Sequence, residues 1–402
     1  MILDGRDFET DDRVRSEASR LARDEHDVLV VCDHAPNRTP RETINGVEIV
    51  RLSREPPSLR FFDKLCGALL LFRPRWFLAL YRLHRQLAFD AFHVHDLPLA
   101  RTVLLLARVV RRPAVLDLHE NYPVLMQSFG SAQPGRIQQL KKRLFYGSAR
   151  WTRYERKALS KAEQVIVVIE EARDRIMGQG VPKDRVTIVS NTLRDEFISS
   201  PGHDPVLATM YSDRFVISYL GSLTRSIRID TSIRAMPAIL EEVPHAHLLV
   251  VGEIEARPEC QRLVRELGLA AHVTFESWQP AGRVPAYLDV SDVGILPFTP
   301  DEQWNTTIAN KLFQYMFARR PVVVPECPPM ERIVSGAGCG IVARGSASDP
   351  GELARAIIRL ARDPDERARM GRRGREAVLS EYRWTADGDR LSSLYAKLAS
   401  AV

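Results

Sequence analysis

The chain has 402 residues, 57 basic and 51 acidic, for a net charge of +6. Hydrophobic residues make up 45% and charged residues 27%, enough to bury a core, which excludes wholesale disorder. Cys32, Cys66, Cys260, Cys327 and Cys339 form no CxxC pair. That excludes a zinc finger or a disulfide-stapled secreted domain and fits a reducing cytosol. No cationic stub followed by an apolar run opens the chain, so no secretory signal is read.

Met1–Gly5 reads as the end of a strand, followed by a loop to Asp11 and a helix over Asp12–Asp24. Apolar, β-branched runs then predict strands at Val28–Cys32, Val47–Leu52, Phe92–His95, Ala114–Leu118, Val165–Ile169 and Val186–Val189. Between the second and third of these lies the most apolar segment, Leu59–Leu87. Its longest uncharged stretch, Leu65–Phe72, is far short of the ~20 residues that a membrane span needs, and Pro74 would break or kink a helix there. A pair of packed helices is expected, with an in-plane amphipathic anchor as the alternative. Ser199–Pro205 reads as a linker. A second series of strands follows at Phe215–Tyr219, His247–Val251, Val273–Glu276, Val293–Leu296, Pro321–Val324 and Gly340–Ala343. Helical stretches such as Thr231–Glu242 separate them, so the whole is βαβ alternation with parallel sheets covered on both faces. The expected division is an N-terminal domain over 1–200, a C-terminal domain over 206–380 and a final helix over 381–402.

Charge is unevenly spread. The first 200 residues carry 33 basic against 26 acidic residues and the remainder 24 against 25. The densest basic run includes Arg136, Lys141, Lys142 and Arg143 and continues through Arg150 to Lys157, with Phe145, Tyr146, Trp151 and Tyr154 interleaved. Such a face suits an anionic membrane or a phosphate-bearing acceptor, the alternative being a solvated Arg-rich helix. Nucleic acid is not expected, since no recognition module accompanies the charge.

No Walker loop, HExxH, GxSxG or GxGxxG is present, which removes the main support for P-loop, zincin, hydrolase and plain dehydrogenase chemistry. What remains are polar residues at strand C-termini, where open parallel sheets bind ligands. His95-Asp96 and Asp117-Leu-His119-Glu120 end adjacent strand candidates. Gly221 and Ser222, with Arg225 and Arg228, precede a helix from about Asp230, a credible diphosphate clamp. Thr306, Thr307, Asn310, Lys311 and Gln314 lie just before and inside another helix, Asn310 and Gln314 on one face and Thr306 near the cap.

The stretches DDRVRSEASRLA, FHVHDLPLA, AVLDLHENYP, YERKALSKAEQVIVV, VSNT, YLGSL, VTFESWQP, VSDVGILPF, NKLFQYM with RRPVVVPE, and CGIVARG, in this order, resemble the GT-B glycosyltransferases of the family 4 type over nearly the whole length. The resemblance implies an α/β protein with two facing Rossmann-like domains and a C-terminal helix crossing back to the first. It implies sugar transfer from a nucleotide-diphosphate donor with retention of configuration and without a metal. Acceptor binding would fall to the N-terminal domain and donor binding to the C-terminal one. His95 and His119, with Arg225 and Arg228, become catalytic candidates, His95 first. Gly221, Ser222, Trp278, Thr306, Thr307, Asn310, Lys311 and Gln314 become donor contacts. Arg136, Lys141, Lys142, Arg143 and Trp151 would form an acceptor or membrane face. Thr306 and Gln314 depart from the Glu-x7-Glu pair of the family; a glutamine offers one acceptor oxygen where a carboxylate offers two. Ser222 and Ile227 replace the Arg and Lys of its diphosphate clamp. Two rival readings follow, a sugar-nucleotide epimerase using Asp96 and Glu120, and a non-catalytic partner that binds a sugar nucleotide. The expected setting is bacterial glycan, glycolipid or natural-product glycosylation in the cytoplasm, with peripheral contact at the inner face of the membrane.

Overall fold

The computed structural model describes the chain except residues 6, 35–37, 53–55, 129–144, 201, 224–225, 254–257, 346 and 401–402. It divides into two compact units: Met1–Ser190 with Asp387–Val402, and Asn191–Ala386.

The first unit contains β1 (Leu29–Asp33), β2 (Arg41–Ile44), β3 (Val47–Leu52), β4 (Phe92–His95), β5 (Ala114–Leu118), β6 (Gln164–Val167) and β7 (Val186–Ile188). Its helices are α1 (Asp12–Arg23), α2 (Pro57–Leu70), α3 (Pro74–Leu87), α4 (Ala100–Val110), α5 (Tyr122–Ser128), α6 (Ser148–Leu159) and α7 (Glu170–Met177). Strands pair in the orders β1-β3-β2 and β4-β5-β6-β7, all parallel except β2 with β3. Asn45 and Gly46, both at positive φ, turn β2 into β3, as Asn-Gly does in tight hairpins. Ile2 bridges in parallel to both Val31 and Val94, so the opening residues lie between β1 and β4 and join the two strand groups.

β4 and β5 are buried along their whole length, their polar residues His93, His95 and Asp117 included, as strands covered on both faces are. In α1, Asp11 caps the helix by accepting from the Val14 amide, and Val14, Ala18 and Leu21 face the core. Pro74 sits in the first turn of α3, where a missing N–H costs nothing; it starts a helix rather than breaking one. The expectation of two ordinary packed helices holds for α3, which buries Trp76 and Leu80. It fails for α2, whose side chains are exposed or half-buried except Asp63.

The second unit contains β8 (Phe215–Leu220), β9 (Ala246–Val251), β10 (Val273–Glu276), β11 (Val293–Ile295), β12 (Val322–Val324) and β13 (Gly340–Val342). They form one parallel sheet in the order β10-β9-β8-β11-β12-β13. Its helices are α8 (Asp195–Ile198), α9 (Pro205–Tyr211), α10 (Ile229–Glu242), α11 (Pro258–Glu266), α12 (Val284–Asp289), α13 (Asn310–Phe317), α14 (Pro328–Ala337), α15 (Pro350–Arg362) and α16 (Pro364–Ser380). Ser199–Pro205 falls within this unit, and Asp204 caps α9 through the Val206 and Leu207 amides. The last helix, α17 (Trp384–Ser400), starts in the second unit and continues into the first from Asp387. Asp387 receives the Ser190 amide, and Ser392 donates to Asp24, which holds the helix to the first unit.

Candidate active site

In the first unit a buried polar cluster gathers at the C-terminal ends of β4 and β5. Alternation along β4 places His93 and His95 on one face, their rings stacked 4.4 Å apart. Asp117 on β5 lies beneath them. One turn of α1 supplies Arg13 and Glu17, an i,i+4 pair buried together. Arg13 donates to both oxygens of Asp117, at 3.2 and 3.0 Å, to the Val189 carbonyl at 2.7 Å, and pairs with Glu17 at 3.0 Å. From α17, the Tyr395 hydroxyl reaches His93 Nδ1 at 2.9 Å.

His119 is more open to solvent than His95, its side chain 12% exposed against 1%. Its Nε2 donates to Asp117 at 2.9 Å, and its Nδ1 lies 3.7 Å from Asp96. The Asp96 carboxylate also accepts the His119 backbone amide at 2.9 Å. Asp96 itself holds a left-handed backbone, φ 62°, uncommon for a residue with a Cβ. Burial alone would lower the His119 pKa, but the charges of Asp117 and Asp96 outweigh it and raise it to about 9. His95 goes the other way, to about 3, through burial and the neighbouring His93. Burial would raise the Asp117 pKa, but Arg13 and then His119 hold it well below the usual carboxylate range. Burial and the Asp117 charge push the Glu17 carboxyl well above it. Asp117 is thus an anion between the cations of Arg13 and His119, with Asp96 also beside His119, Glu17 shifted toward its neutral form and His95 neutral.

Ligand atoms of Glu17, His93, His95 and Asp117 all lie within 4.8 Å of one another. Arg13 sits against both carboxylates, so it already fills the part that a cation would play there.

In the second unit the end of β8 forms a second constellation. Gly221, at φ 136°, donates its amide to the Val251 carbonyl. A Cβ there would lie 2.6 Å from Lys311 Nζ. Lys311, in the first turn of α13, donates to the Tyr219 hydroxyl at 3.3 Å and lies over the rings of Tyr219 and Phe298. Burial lowers its pKa to about 8, and no carboxylate among the described residues is ion-paired with it. Tyr219 in turn donates to the Ser222 carbonyl at 2.7 Å. Gly221→Ala combines a strained backbone with a clash at Lys311. We expect a loss of about 1–3 kcal/mol in the second unit's unfolding free energy, read by denaturant titration, with weaker binding of a nucleoside diphosphate.

The remaining expected residues are placed unevenly. Arg228 precedes α10 and forms a two-pronged pair with Asp230 through Nε and Nη2, at 3.0 and 2.9 Å. Arg225, Arg136, Lys141, Lys142 and Arg143 lie outside the described residues. Thr306 precedes α13 and donates to the Glu302 carbonyl; the cap position itself is Ala309. Thr307 is buried, Gln314 half-buried and Asn310 exposed. Trp278 is exposed. Trp151 is the clear correction. It packs against Tyr122 and Tyr154 and donates its indole N–H to the Phe145 carbonyl, so it belongs to the interior and not to an outer face. Arg13, Glu17, His93, Asp117 and Tyr395 were not singled out as site residues. The i,i+4 charge pair on a helix otherwise facing the core was the available signal for the first two.

Two parallel-sheet, Rossmann-like units with polar clusters at their strand ends, and a last helix shared between them, define a protein of the GT-B class. Residues 10–192 match the family model for the glycosyl transferase 4-like domain, and residues 214–363 that for glycosyl transferases group 1. The chain belongs to the family 4 glycosyltransferases, retaining enzymes that use nucleotide-sugar donors. It is 23% identical over 299 residues to the alpha-D-kanosaminyltransferase of Streptomyces kanamyceticus, covering 73% of each chain. It is 27% identical over 250 residues to a GDP-mannose-dependent alpha-(1-6)-phosphatidylinositol monomannoside mannosyltransferase of Mycolicibacterium smegmatis, covering 56% of this chain and 65% of that one. In fold it is similar to Anabaena Alr3699/HepE, solved in complex with UDP, with a TM-score of 0.72, 13% identity, and 98% and 99% of the two chains covered.

Proposed function

We propose that this glycosyltransferase moves a hexosyl group from a nucleotide diphosphate to a sugar, lipid-linked or small-molecule acceptor in bacterial glycan, glycolipid or natural-product assembly, with no metal at the diphosphate. The observation that carries the donor half is Lys311: an ammonium with no paired carboxylate among the described residues, beside a glycine at positive φ at the end of a parallel strand. A cation held in that way favours a phosphate oxygen, because the ligand supplies the missing counter-charge. As the diphosphate leaves, Lys311 and the amides near Gly221 stabilise the charge developing on it. Arg228, held by Asp230 at Nε and Nη2, would join through Nη1.

On the acceptor side His119 is a better candidate than His95 for sugar contact, since His95 is sealed beneath it. Being cationic and held between Asp117 and Asp96, His119 would donate a hydrogen bond to a substrate oxygen rather than act as a base. The names of relatives that act on kanosamine donors and on phosphatidylinositol mannosides leave both soluble and lipid acceptors open. No helix among the described residues is long and apolar enough to cross a membrane; peripheral contact with the inner face is part of the proposal.

The deciding experiment incubates the protein with a panel of nucleotide sugars. Slow donor hydrolysis, or transfer to an added acceptor, supports the reading. An isomerised donor would favour an epimerase, and binding without turnover a non-catalytic partner. In the active case His119→Gln should lower kcat about 10²-fold or more, in line with the loss of one electrostatic donor, while nucleoside diphosphate affinity stays within a factor of three.

A further inference from the structure

Helix α2 is built as a surface element with its apolar residues turned outward. Leu59, Phe61, Phe62, Leu65, Leu69 and Leu70 are each 41–69% exposed. An amphipathic helix that belongs to a core does the reverse. The one side chain it buries is Asp63, which accepts from Arg73 and from the Arg75 amide. Its C-terminal carbonyls are tied down from neighbouring helices: Arg101 donates to Leu70, and Arg150 to Ala68 and Leu69. The helix is thus pinned through polar anchors while its large apolar side chains remain without cover. Leu78 on α3 and Leu105 and Val109 on α4 are exposed as well.

The charge around this surface has one sign. Residues 57–112 carry ten basic and three acidic residues. Of the acids, Asp63 is buried in its pair with Arg73, Asp96 holds His119, and Asp90 pairs with Arg112. Arg60, Lys64, Arg82, Arg85, Arg101 and Arg108 are exposed. Isolated apolar side chains on a surface need no explanation, but six on one fourteen-residue helix do.

We infer that α2 lies in the plane of an anionic bilayer, with Phe61, Phe62, Leu65 and Leu69 in the headgroup and acyl boundary and Arg60 and Lys64 at phosphate level. The basis is charge complementarity: a cationic rim around an apolar helix matches an anionic lipid surface, whereas a second copy of this chain would bring the same cations face to face. This deepens the reading above by stating where a lipid-linked acceptor would be met. It does not depend on that reading, because docking requires neither donor nor turnover. The site differs from the basic run first singled out in the sequence, since Trp151 on that run is buried.

The test is sedimentation of the full chain with vesicles of phosphatidylcholine alone and of phosphatidylcholine with 30% phosphatidylglycerol, at 0.1 and 1 M NaCl. Binding is expected on the anionic vesicles at low salt, fading at 1 M where the Debye length is ~3 Å. Arg60→Gln with Lys64→Gln should weaken it about 30-fold, two charges at ~1 kcal/mol each. Phe61→Ser with Phe62→Ser should weaken it at least as much. All four positions are exposed, so unchanged thermal unfolding is expected, and nucleoside diphosphate affinity serves as the folding control. Phe61→Trp with brominated acyl chains should show quenching that the wild type lacks. Equal binding to neutral and anionic vesicles, absence of binding at 0.1 M, or dimerisation that Phe61→Ser with Phe62→Ser abolishes would each overturn the inference. If vesicle binding holds while the nucleotide-sugar panel shows no turnover, the transferase mechanism fails and the docking surface stands.

Discussion

Asp117→Asn will destabilise the first unit by about 3–5 kcal/mol, the usual cost of breaking a buried ion pair from one side. The substitution keeps the shape of the side chain and removes the one anion that faces Arg13, His93, His95 and His119. Arg13 would keep Glu17 and the Val189 carbonyl, and ionisation of Glu17 would recover part of the loss. The pH dependence carries the sharper signature. The folded pKa of His119, about 9, lies above its ordinary value of 6.5, so the native state holds the proton more tightly than the unfolded chain. The stabilisation is therefore complete below about pH 6.5 and is lost as pH rises through 9. Glu17, also raised, acts in the same direction from pH 4.5 upward. His93 and His95, both lowered, act oppositely but only below pH 6.5. The Met1 amino group, lowered to about 5 by burial, acts oppositely in both proteins, so denaturant titration from pH 6.5 to 8 should show wild-type stability falling relative to that of the Asn variant. Equal slopes would mean that Asp117 does not hold the His119 proton.

Lys311→Ala should weaken nucleoside diphosphate binding about 10- to 150-fold, the equivalent of one charge-assisted hydrogen bond of about 1.5–3 kcal/mol. It should lower donor turnover at least as much. Stability should not fall with it. The ammonium is partly buried with no paired carboxylate among the described residues, and burial lowers its pKa from 10.5 to about 8. A lowered base costs stability while it is charged, below about pH 8, and the cost is relieved as pH rises from 8 to 10.5. Removing it at pH 7 should leave the second unit as stable or more so. Affinity in the wild type should drop between pH 7 and 9.5 as the free site loses its proton, and the Ala variant should show no such drop. Calorimetry across that range separates the two. A variant that binds the nucleotide normally would move the diphosphate to another cation, with Arg228 the next to be changed.

Much of this was legible from local pattern. The mainly apolar runs at Phe92–His95, Ala114–Leu118, Phe215–Tyr219 and His247–Val251 became strands within one or two residues, because a parallel strand covered on both faces favours such a run. The α1 helix began at its Asp11 cap. Ends set by packing were less legible. Ser199–Pro205 resembles a linker by composition, yet Pro205 starts a helix capped by Asp204, as proline readily does in a first turn. Asn121-Tyr122-Pro123 likewise reads as a turn and opens α5.

The sequence by itself determined the element order, the two-series α/β organisation and the identity of His95, His119 and Gly221 as residues at strand ends and of Lys311 as a residue at a helix start, since each follows from spacing along the chain. Only the tertiary structure decided what those residues are chemically. It brought Arg13, Glu17 and Tyr395 from helices far apart in the chain against Asp117, and so made His119 cationic and His95 neutral. It paired Arg228 with Asp230 and gave Lys311 no carboxylate partner among the described residues. It buried Trp151 and exposed Phe61 and Phe62, although both lie in apolar, basic segments that look alike as strings. The reason is that protonation and exposure depend on neighbours within a few ångströms, and a parallel fold draws those neighbours from strands and helices that the order of residues does not place side by side.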